Sequence, residues 1–482
     1  MSNTSNKRKL VIALHGINLE TDPHKVEDLN SMFLAQQIYS SLFKFSSDGT
    51  IIHDLADTIQ KSTDGLTYTI TLKKGIKFSD GSLISAKHVV ASLKRAFVKG
   101  AGLVAEMAYI EGYNAVLKSK DPEAVGITYF SETEFKIVLN CQTDLLVTHL
   151  ALPDLSILKI ENATDNLPVN IFSGNYKIVA KTTELISLEK TESTEYSNAH
   201  APNIVNFVKI AQADIINAMD DSRVDSVEQY YLSTHDTEKS VKRGWQKIVH
   251  SLSHENFVFF NPKMLNREDR ILLSGAINSD EVISWLGVSA LKPAYGLIPM
   301  NLPGAILNPY KAIEKSSMLK SCKETTVISL LVNKNNTLHM QVSHFLQEKW
   351  AILGCKIEMQ VLDQDEYYKK FFKKDYQAAL AGKGLDYPDG ISNLGYFRTD
   401  IENNFLPLEN SSLDAEISAL SRLSFDERIR SYIVIQENIL RQETVKPLFF
   451  GHNTSGLWSS KVKSVPSHPF GFQFLKLVEI EM

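Results

Sequence analysis

The sequence has few cysteines, and they do not cluster. Cys141, Cys322 and Cys355 are the three in 482 residues, and none belongs to a CxxC pair. This usage excludes a disulfide framework of the kind that holds small secreted domains together. Cys322 and Cys355 each precede a candidate strand, so a single disulfide between them is one interpretation. Separate buried thiols are the favoured one.

Long apolar runs and a basic excess are also missing. No stretch approaches the ~18–20 apolar residues that a membrane span needs. Leu10–Leu14 is too short for the apolar core of a signal peptide and predicts a first strand instead. The formal net charge of −5 argues against nucleic acid as a partner. We interpret the polar start MSNTSNKRK as that of a mature form whose targeting segment has been replaced by a start Met.

Motifs of the common enzyme classes are absent from the sequence. It has no HExxH, no GxSxG and no dinucleotide fingerprint, and GHNTSG at 451–456 lacks the Lys and Ser/Thr of a phosphate loop. His250 and His254 lie in a run that looks extended, and His339 and His344 are five apart, so we expect surface or cap histidines. We therefore expect no catalysis, no cofactor and no bound metal.

Strand and helix patterns alternate along the chain, which predicts a mixed α/β protein. A half-buried strand over Leu66–Lys73 precedes a turn and then a helix that Ser85 caps. A strand–helix–strand unit over 325–362 predicts two parallel strands with a helix covering the sheet. A third strand at Gln377–Gly382 enters the segment GKGLDYPDG. Ligands of open α/β sheets collect beyond the carboxyl ends of strands, so this loop is the first candidate for a binding site.

Three segments resemble the periplasmic oligopeptide- and dipeptide-binding proteins, which are family 5 solute-binding proteins of ABC importers. DPHKVEDLN at 22–30, ahead of IYSSLF, is similar to the start of the oligopeptide-binding branch. YTITLKKGIKFSDGSLISAKHVVASLKRAF at 68–97 resembles the signature of the whole family. LGCKIEMQV followed by LAGKGLDYPDG is similar to a strand and the ligand loop of that family. Weaker similarities extend the match over nearly all of residues 10–482.

The resemblance implies an α/β "Venus flytrap" fold with two lobes, three domains and mixed sheets flanked by helices. Domain I would comprise residues 10–45, 172–265 and 453–482, with domain II inserted at 46–171 and domain III spanning 266–452. The implied protein is a periplasmic or otherwise extracytoplasmic monomer, with or without a lipid anchor. It would capture small peptides and deliver them to the membrane permease of an ABC importer.

The resemblance also implies a ligand site in GKGLDYPDG, where an Asp at the position of Asp386 receives the peptide's α-ammonium group. Glycines beside it would let a ligand backbone approach closely, and exclusion of water would strengthen the ammonium–carboxylate contact. The alternative is that Asp386 only organises the turn. The candidate contacts in this loop are Gly382, Lys383, Gly384, Leu385, Asp386 and Tyr387.

Three further candidates lie outside the loop, on the lobe that would face Asp386. Leu29 and Asn30 fall where the family's N-terminal segment pairs with the peptide backbone, and Asn261 ends the strand VFFNP. Each has an alternative role that involves no ligand: Leu29 as a core residue, Asn30 as a helix cap and Asn261 as the start of a turn.

The chain departs from the family pattern at three positions in or near the loop, one of which is Gly390, where the family has Pro. Lys383 stands where Trp is usual in the family. This change removes an apolar wall of the ligand pocket or favours a ligand with an acidic group. Leu380 stands where related proteins carry an Arg that pairs with the peptide's carboxylate. These changes keep a non-peptide solute, such as a nickel chelate, haem or a sugar, as the alternative ligand.

Overall fold

The structure is a computed structural model in which the chain forms two compact units. They are residues 1–250 with 454–482, called unit 1, and residues 251–453, called unit 2. The described residues are 7–14, 19–26, 28–167, 170–192, 198–228, 232, 234–249, 252–288, 291–308, 322, 327–401, 403–452, 455–466, 468 and 473–481. No helix within these ranges combines the length and the apolar character needed to cross a bilayer.

Strands and helices alternate through both units, as the sequence predicts. The strands are β1 (Lys9–Leu14), β2 (Phe43–Phe45), β3 (Ile51–His53), β4 (Ala56–Lys61), β5 (Thr67–Leu72), β6 (Ile127–Tyr129), β7 (Glu134–Val138), β8 (Tyr176–Lys181), β9 (Leu185–Lys190), β10 (Ile204–Lys209), β11 (Ser226–Glu228), β12 (Gln246–Val249), β13 (Leu252–Phe260), β14 (Lys292–Pro293), β15 (Val327–Asn333), β16 (Lys356–Leu362), β17 (Ala378–Gly384), β18 (Val445–His452), β19 (Ser455–Trp458), β20 (Val462–Ser464) and β21 (Glu479–Ile480). The α-helices are α1 (Leu29–Ile38), α2 (Ala86–Lys99), α3 (Tyr113–Ser119), α4 (Leu146–His149), α5 (Ile215–Asp220), α6 (Thr234–Lys242), α7 (Arg267–Gly275), α8 (Ser279–Leu286), α9 (Thr337–Ile352), α10 (Gln364–Phe372), α11 (Ile391–Leu394), α12 (Ser411–Ala419) and α13 (Phe425–Leu440). Short 3-10 helices span Pro23–Lys25, Gly102–Glu106, Pro122–Ala124, Pro153–Leu155, Gln212–Asp214, Gly395–Phe397, Leu420–Arg422 and Leu475–Leu477.

Unit 1 contains a mixed sheet of seven strands in the order β12-β19-β11-β1-β10-β9-β8. β1 pairs in parallel with β10 and β11, whereas the pairs β10·β9 and β11·β19 are antiparallel. The apolar run predicted as a first strand is β1, and both of its faces are buried. Leu10 and Ile12 lie in one apolar core and Ala13 in another. A strand buried on both sides is continuously apolar, which accounts for the run LVIAL.

A second sheet of unit 1 has the order β4-β5-β7-β6 and adjoins α2. The alternation predicted over Leu66–Lys73 forms β5, which buries Tyr68, Ile70 and Leu72. As predicted, Ser85 caps α2, and it does so in a capping box with the His88 side chain.

The DPHK segment is held in unit 1 by a buried ion pair, called the Asp22–Arg95 pair. The Arg95 guanidinium donates from Nη1 and Nη2 to the two carboxylate oxygens of Asp22, at 2.9 and 2.7 Å. Asp22 also accepts the backbone N–H of His24, and Arg95 Nη1 lies 2.8 Å from His24 Nδ1. Burial would raise the pKa of Asp22, but the hydrogen bonds and charge of Arg95 hold that pKa below its usual value. The motif therefore anchors the N-terminal segment to α2.

Unit 2 contains a mixed sheet of six strands in the order β14-β18-β13-β17-β15-β16. β15 pairs in parallel with β16 along its length, and α9 connects them and packs on the sheet. This is the strand–helix–strand unit predicted over 325–362. The predicted α/β class, with mixed sheets flanked by helices, is confirmed. The three-domain division stays a prediction.

Cys322 and Cys355 are joined as a disulfide, with their Cα atoms 5.3 Å apart. The favoured interpretation of separate thiols is therefore wrong. The backbone explains the proximity, because the N–H of Cys322 donates to the carbonyl of Leu353 at 2.7 Å. Both cysteines are buried in the apolar core beside α9.

One of the histidines expected at the surface is instead buried in unit 2. His339 lies in the first turn of α9, 3% exposed, with Nε2 3.0 Å from Oδ1 of Asn256. His344 is exposed, as expected, His254 lies half-buried in β13, and His250 is outside the described residues. Burial lowers the pKa of His339 to about 3.

Acid should therefore destabilise unit 2 through His339. An unfolded chain takes up a proton on histidine near pH 6.5, whereas folded His339 resists protonation down to about pH 3. Stability is fully present above the unfolded pKa and declines as pH falls below it, by about 2 kcal/mol near pH 5. Urea unfolding near pH 8 and near pH 5 measures this loss.

Two variants of the same helix isolate the contribution of His339. His339→Gln keeps a polar group near Asn256 but cannot titrate, so it should reduce the difference between the two pH values by about 2 kcal/mol. His344→Gln, at the exposed position, should leave the difference unchanged. Equal pH dependence in both variants would contradict the burial argument.

Candidate functional site

The candidate loop begins at the carboxyl end of β17, in the middle of the unit 2 sheet. β17 pairs with β13 from Ala378 to Gly384, but with β15 only at Ala378 and Ala379. From residue 380 onward, the edge that faces away from β13 has no strand partner among the described residues. The Leu380 carbonyl already accepts the Tyr367 hydroxyl, so an extended chain would add as a further strand at Lys383 and Gly384.

Gly382 leaves room for two side chains of the neighbouring strand β13. A Cβ atom at this position would lie 2.5 Å from Nε2 of His254 and 3.0 Å from Oδ1 of Asn256. The glycine predicted as a ligand contact therefore has a structural reason of its own, which is the space taken by the side chains of His254 and Asn256.

The loop carries two aspartates in different environments. Asp389 is buried, and its carboxylate accepts hydrogen bonds from the Arg428 guanidinium at 2.8 Å and from the Tyr432 hydroxyl. It also accepts the backbone N–H of Ile391. Asp389 is thus committed to holding the loop against α13.

Asp386, the predicted ammonium site, keeps part of its side chain accessible. Its side chain is 24% exposed, and Oδ1 lies 3.1 Å from Nζ of Lys383. Oδ2 accepts the hydroxyl of Tyr396 at 3.2 Å, and the backbone N–H of Asp386 donates to Oγ of Ser392. The carboxylate is therefore fixed in place and already faces one cation.

Lys383 places its ammonium group between Asp386 and an aromatic ring. Nζ lies 3.9 Å from the centre of the Tyr396 ring, within the range of a cation–π contact. Burial disfavours the charged form of Lys383, but the Asp386 carboxylate and Tyr396 raise its pKa above the ordinary value. Lys383 is consequently a cation at neutral pH.

Two predicted ligand contacts in the loop are buried instead. Leu385 and Tyr387 are 3% and 0% exposed, so in this structure their side chains anchor the loop and present no surface to a solute. Gly384 and Asp386, the residues on either side of Leu385, are half-buried.

Asn261 lies at the other end of β17 from Asp386. Its backbone N–H donates to the carbonyl of Gln377, just before β17, and its side chain binds the Lys374 carbonyl and the Lys263 N–H. β17 separates the two places by about 20 Å. These hydrogen bonds are those of a residue that starts a turn, Asn261 belongs to unit 2, and its contact with a ligand stays a prediction.

Leu29 and Asn30 form the first turn of α1 in unit 1. Asp28 caps this helix by accepting the backbone N–H of Ser31 at 2.9 Å, so Asn30 is not the cap. Asn30 is half-buried, and the side chain of Leu29 lies outside the described residues. Their contact with a ligand stays a prediction.

Tyr396 and Ser392 are the site residues that the sequence did not indicate. They lie ten and six residues beyond Asp386, and a tight turn with α11 brings them back to it. No spacing rule links such positions, so only the fold could reveal them. Within the described ranges, no three His, Cys, Asp or Glu side chains gather as metal ligands do.

Comparison with known proteins points to one family. The profile of the bacterial extracellular solute-binding proteins, family 5 (middle region), matches residues 50–405. The glutathione-binding protein GsiB of Pectobacterium atrosepticum is 26% identical over 375 residues, which cover 73% of this chain and 69% of that protein.

Solved structures show a similar fold at low identity. The Escherichia coli murein tripeptide binding protein MppA superposes with a TM-score of 0.84 at 18% identity, covering 99% of each chain. Haemophilus influenzae OppA in complex with RPPGFSPFR gives a TM-score of 0.83 at 19% identity, again over 99% of each chain.

Proposed function

Because the chain belongs to the bacterial extracellular solute-binding proteins of family 5, we propose that it captures small peptides with a free amino terminus. It delivers them to the permease of an ABC importer. The proposed protein acts outside the cytoplasmic membrane as a monomer, with or without a lipid anchor, and does not chemically alter its ligand.

The observation that carries this proposal is the placement of the Asp386 carboxylate. Of the two loop carboxylates, Asp389 is buried against Arg428, whereas Asp386 is held by the Tyr396 hydroxyl and one lysine and stays partly exposed. A fixed, partly desolvated carboxylate favours a cationic group such as an α-ammonium.

The backbone beside Asp386 suits an extended ligand. The outer edge of β17 at Lys383 and Gly384 has no strand partner in the described structure, and main-chain pairing there would hold a peptide regardless of its side chains. An ammonium at Asp386 would then fix where the peptide begins. Leu29 and Asn30 remain candidate contacts from unit 1, within the three-domain division predicted from the resemblance.

The names of the similar proteins agree with a peptide ligand. GsiB is named for binding glutathione, a tripeptide, and the OppA structure holds the peptide RPPGFSPFR. Neither ligand is assigned to this chain. They support the class of solute, a short peptide, over the nickel chelates, haem and sugars that the sequence left open.

Native mass spectrometry of freshly purified protein tests the proposed ligand class. The expected spectrum shows a bound species with the mass of a short peptide, released on denaturation and unchanged after long incubation. A haem, sugar or metal-chelate mass would contradict the peptide assignment. Progressive appearance of peptide fragments would contradict the absence of catalysis.

A further inference from the structure

The Lys383–Asp386 pair makes this site different from a lone carboxylate. Its two charged groups are 3.1 Å apart, and their side chains are 19% and 24% exposed. Tyr396 contacts both, through its ring to Lys383 and its hydroxyl to Asp386. A ligand that reaches Asp386 therefore also reaches a fixed cation.

The titratable side chains next to the pair add no compensating charge. Burial and the charge of Lys383 lower the pKa of His254 to about 4, so this neighbour of Gly384 is neutral near pH 7. Burial raises the pKa of Glu255 well above its usual range, which favours the neutral acid at this neighbour of Lys383. Tyr368, near Lys383, also has a raised pKa and is neutral.

Asp389 does not alter this balance, because Arg428 pairs with it. Lys383 and Asp386 thus form a site of net charge zero. The amino terminus of an ordinary peptide brings one positive charge, which would leave an excess charge in a partly desolvated site. A ligand group that carries both signs adds no net charge.

We propose that the Lys383–Asp386 pair selects peptides whose amino-terminal residue is linked through its side-chain carboxyl group, as in a γ-glutamyl peptide. Such a residue keeps a free α-carboxylate on the same carbon as its α-ammonium. The ammonium binds Asp386 and the carboxylate binds Lys383, so the internal pair becomes an alternating arrangement of four charges. This inference rests on the proposed function and names the class of peptide.

An α-linked peptide lacks this match even when its first residue is glutamate. Its α-carboxyl group is consumed in the peptide bond, and its side-chain carboxylate sits at the end of two rotatable methylenes. Bringing that carboxylate to Lys383 would freeze the side chain, at a cost in entropy. Two isomers of identical composition and charge therefore differ in how well they fit the pair.

Calorimetry with γ-glutamyl-alanyl-glycine and its α-glutamyl isomer tests the proposal. The parent protein should bind the γ isomer at least about tenfold more tightly, the loss expected for one charged hydrogen bond. Lys383→Met should bind both isomers with similar affinity. Lys383→Arg, which keeps the cation, should retain the preference.

Lys370→Met is the matched control, because Lys370 also forms an ion pair in unit 2, with Asp375, but at the surface. It should retain the preference for the γ isomer. Equal binding of the isomers by the parent, or a preference that survives in Lys383→Met, would overturn the proposal while leaving peptide binding intact. If the parent protein binds neither isomer and does not bind trialanine, the proposed function is overturned as well.

Discussion

Asp386→Ala is expected to lower the affinity for a peptide with a free amino terminus at least about thirtyfold. Removing one partner of a desolvated ion pair costs about 2–5 kcal/mol, because the other charge is left unpaired. Here the loss has two sources, since the ligand ammonium loses its carboxylate and Lys383, no longer neutralised, repels it. Isothermal calorimetry with a tripeptide measures the change directly.

A surface aspartate of the same unit provides the control for this variant. Asp375→Ala removes the same charge from unit 2 at an exposed ion pair, and its effect on affinity should be small. Thermal unfolding of both variants would show whether they remain folded. If Asp386→Ala binds as tightly as Asp375→Ala, Asp386 is only a turn residue.

Arg95→Leu is expected to lower the free energy of unfolding by about 3–5 kcal/mol, because it removes the buried cation that pairs with Asp22 and leaves only Lys25, which is mostly exposed and 3.9 Å away. Arg95 and Asp22 have side chains only 4% and 7% exposed, so water cannot replace the lost hydrogen bonds without structural change. Urea unfolding of the variant and the parent measures the difference.

An exposed lysine of the same helix is the matched control for Arg95. Lys87 pairs with Glu161 at the surface of unit 1, with the two side chains 40% and 65% exposed. Lys87→Leu should change the free energy of unfolding by less than about 1 kcal/mol. A loss in Arg95→Leu no larger than this would show that the Asp22–Arg95 pair does not hold the DPHK segment.

Local patterns in the sequence were sufficient to predict several elements of the fold. Three features follow from patterns among residues close together in the sequence: Ser85 at a helix start, the alternation in β5 and the strand–helix–strand unit around α9. The resemblance to the family was confirmed by the match over residues 50–405. It also directed attention to the Asp386 loop.

The contacts that define the candidate site depend on residues brought together by the fold. Lys383 was recognised as a departure from the family pattern, but its pairing with Asp386 and its contact with Tyr396 could not be predicted from spacing. The burial of Leu385 and Tyr387 likewise depends on which side of the loop faces the core. The distance between Asn261 and Asp386 likewise follows from the direction of β17, which is a property of the sheet.

The most direct test of the account combines Asp386→Ala with acetylation of the peptide's amino terminus. Calorimetry on parent and variant, each with the free and the acetylated tripeptide, yields four affinities. If Asp386 binds the α-ammonium, each change alone costs at least about thirtyfold, and together they cost little more than either one, because both remove the same interaction. If acetylation weakens binding to Asp386→Ala as much as it weakens binding to the parent, the ammonium binds elsewhere and the central claim is contradicted.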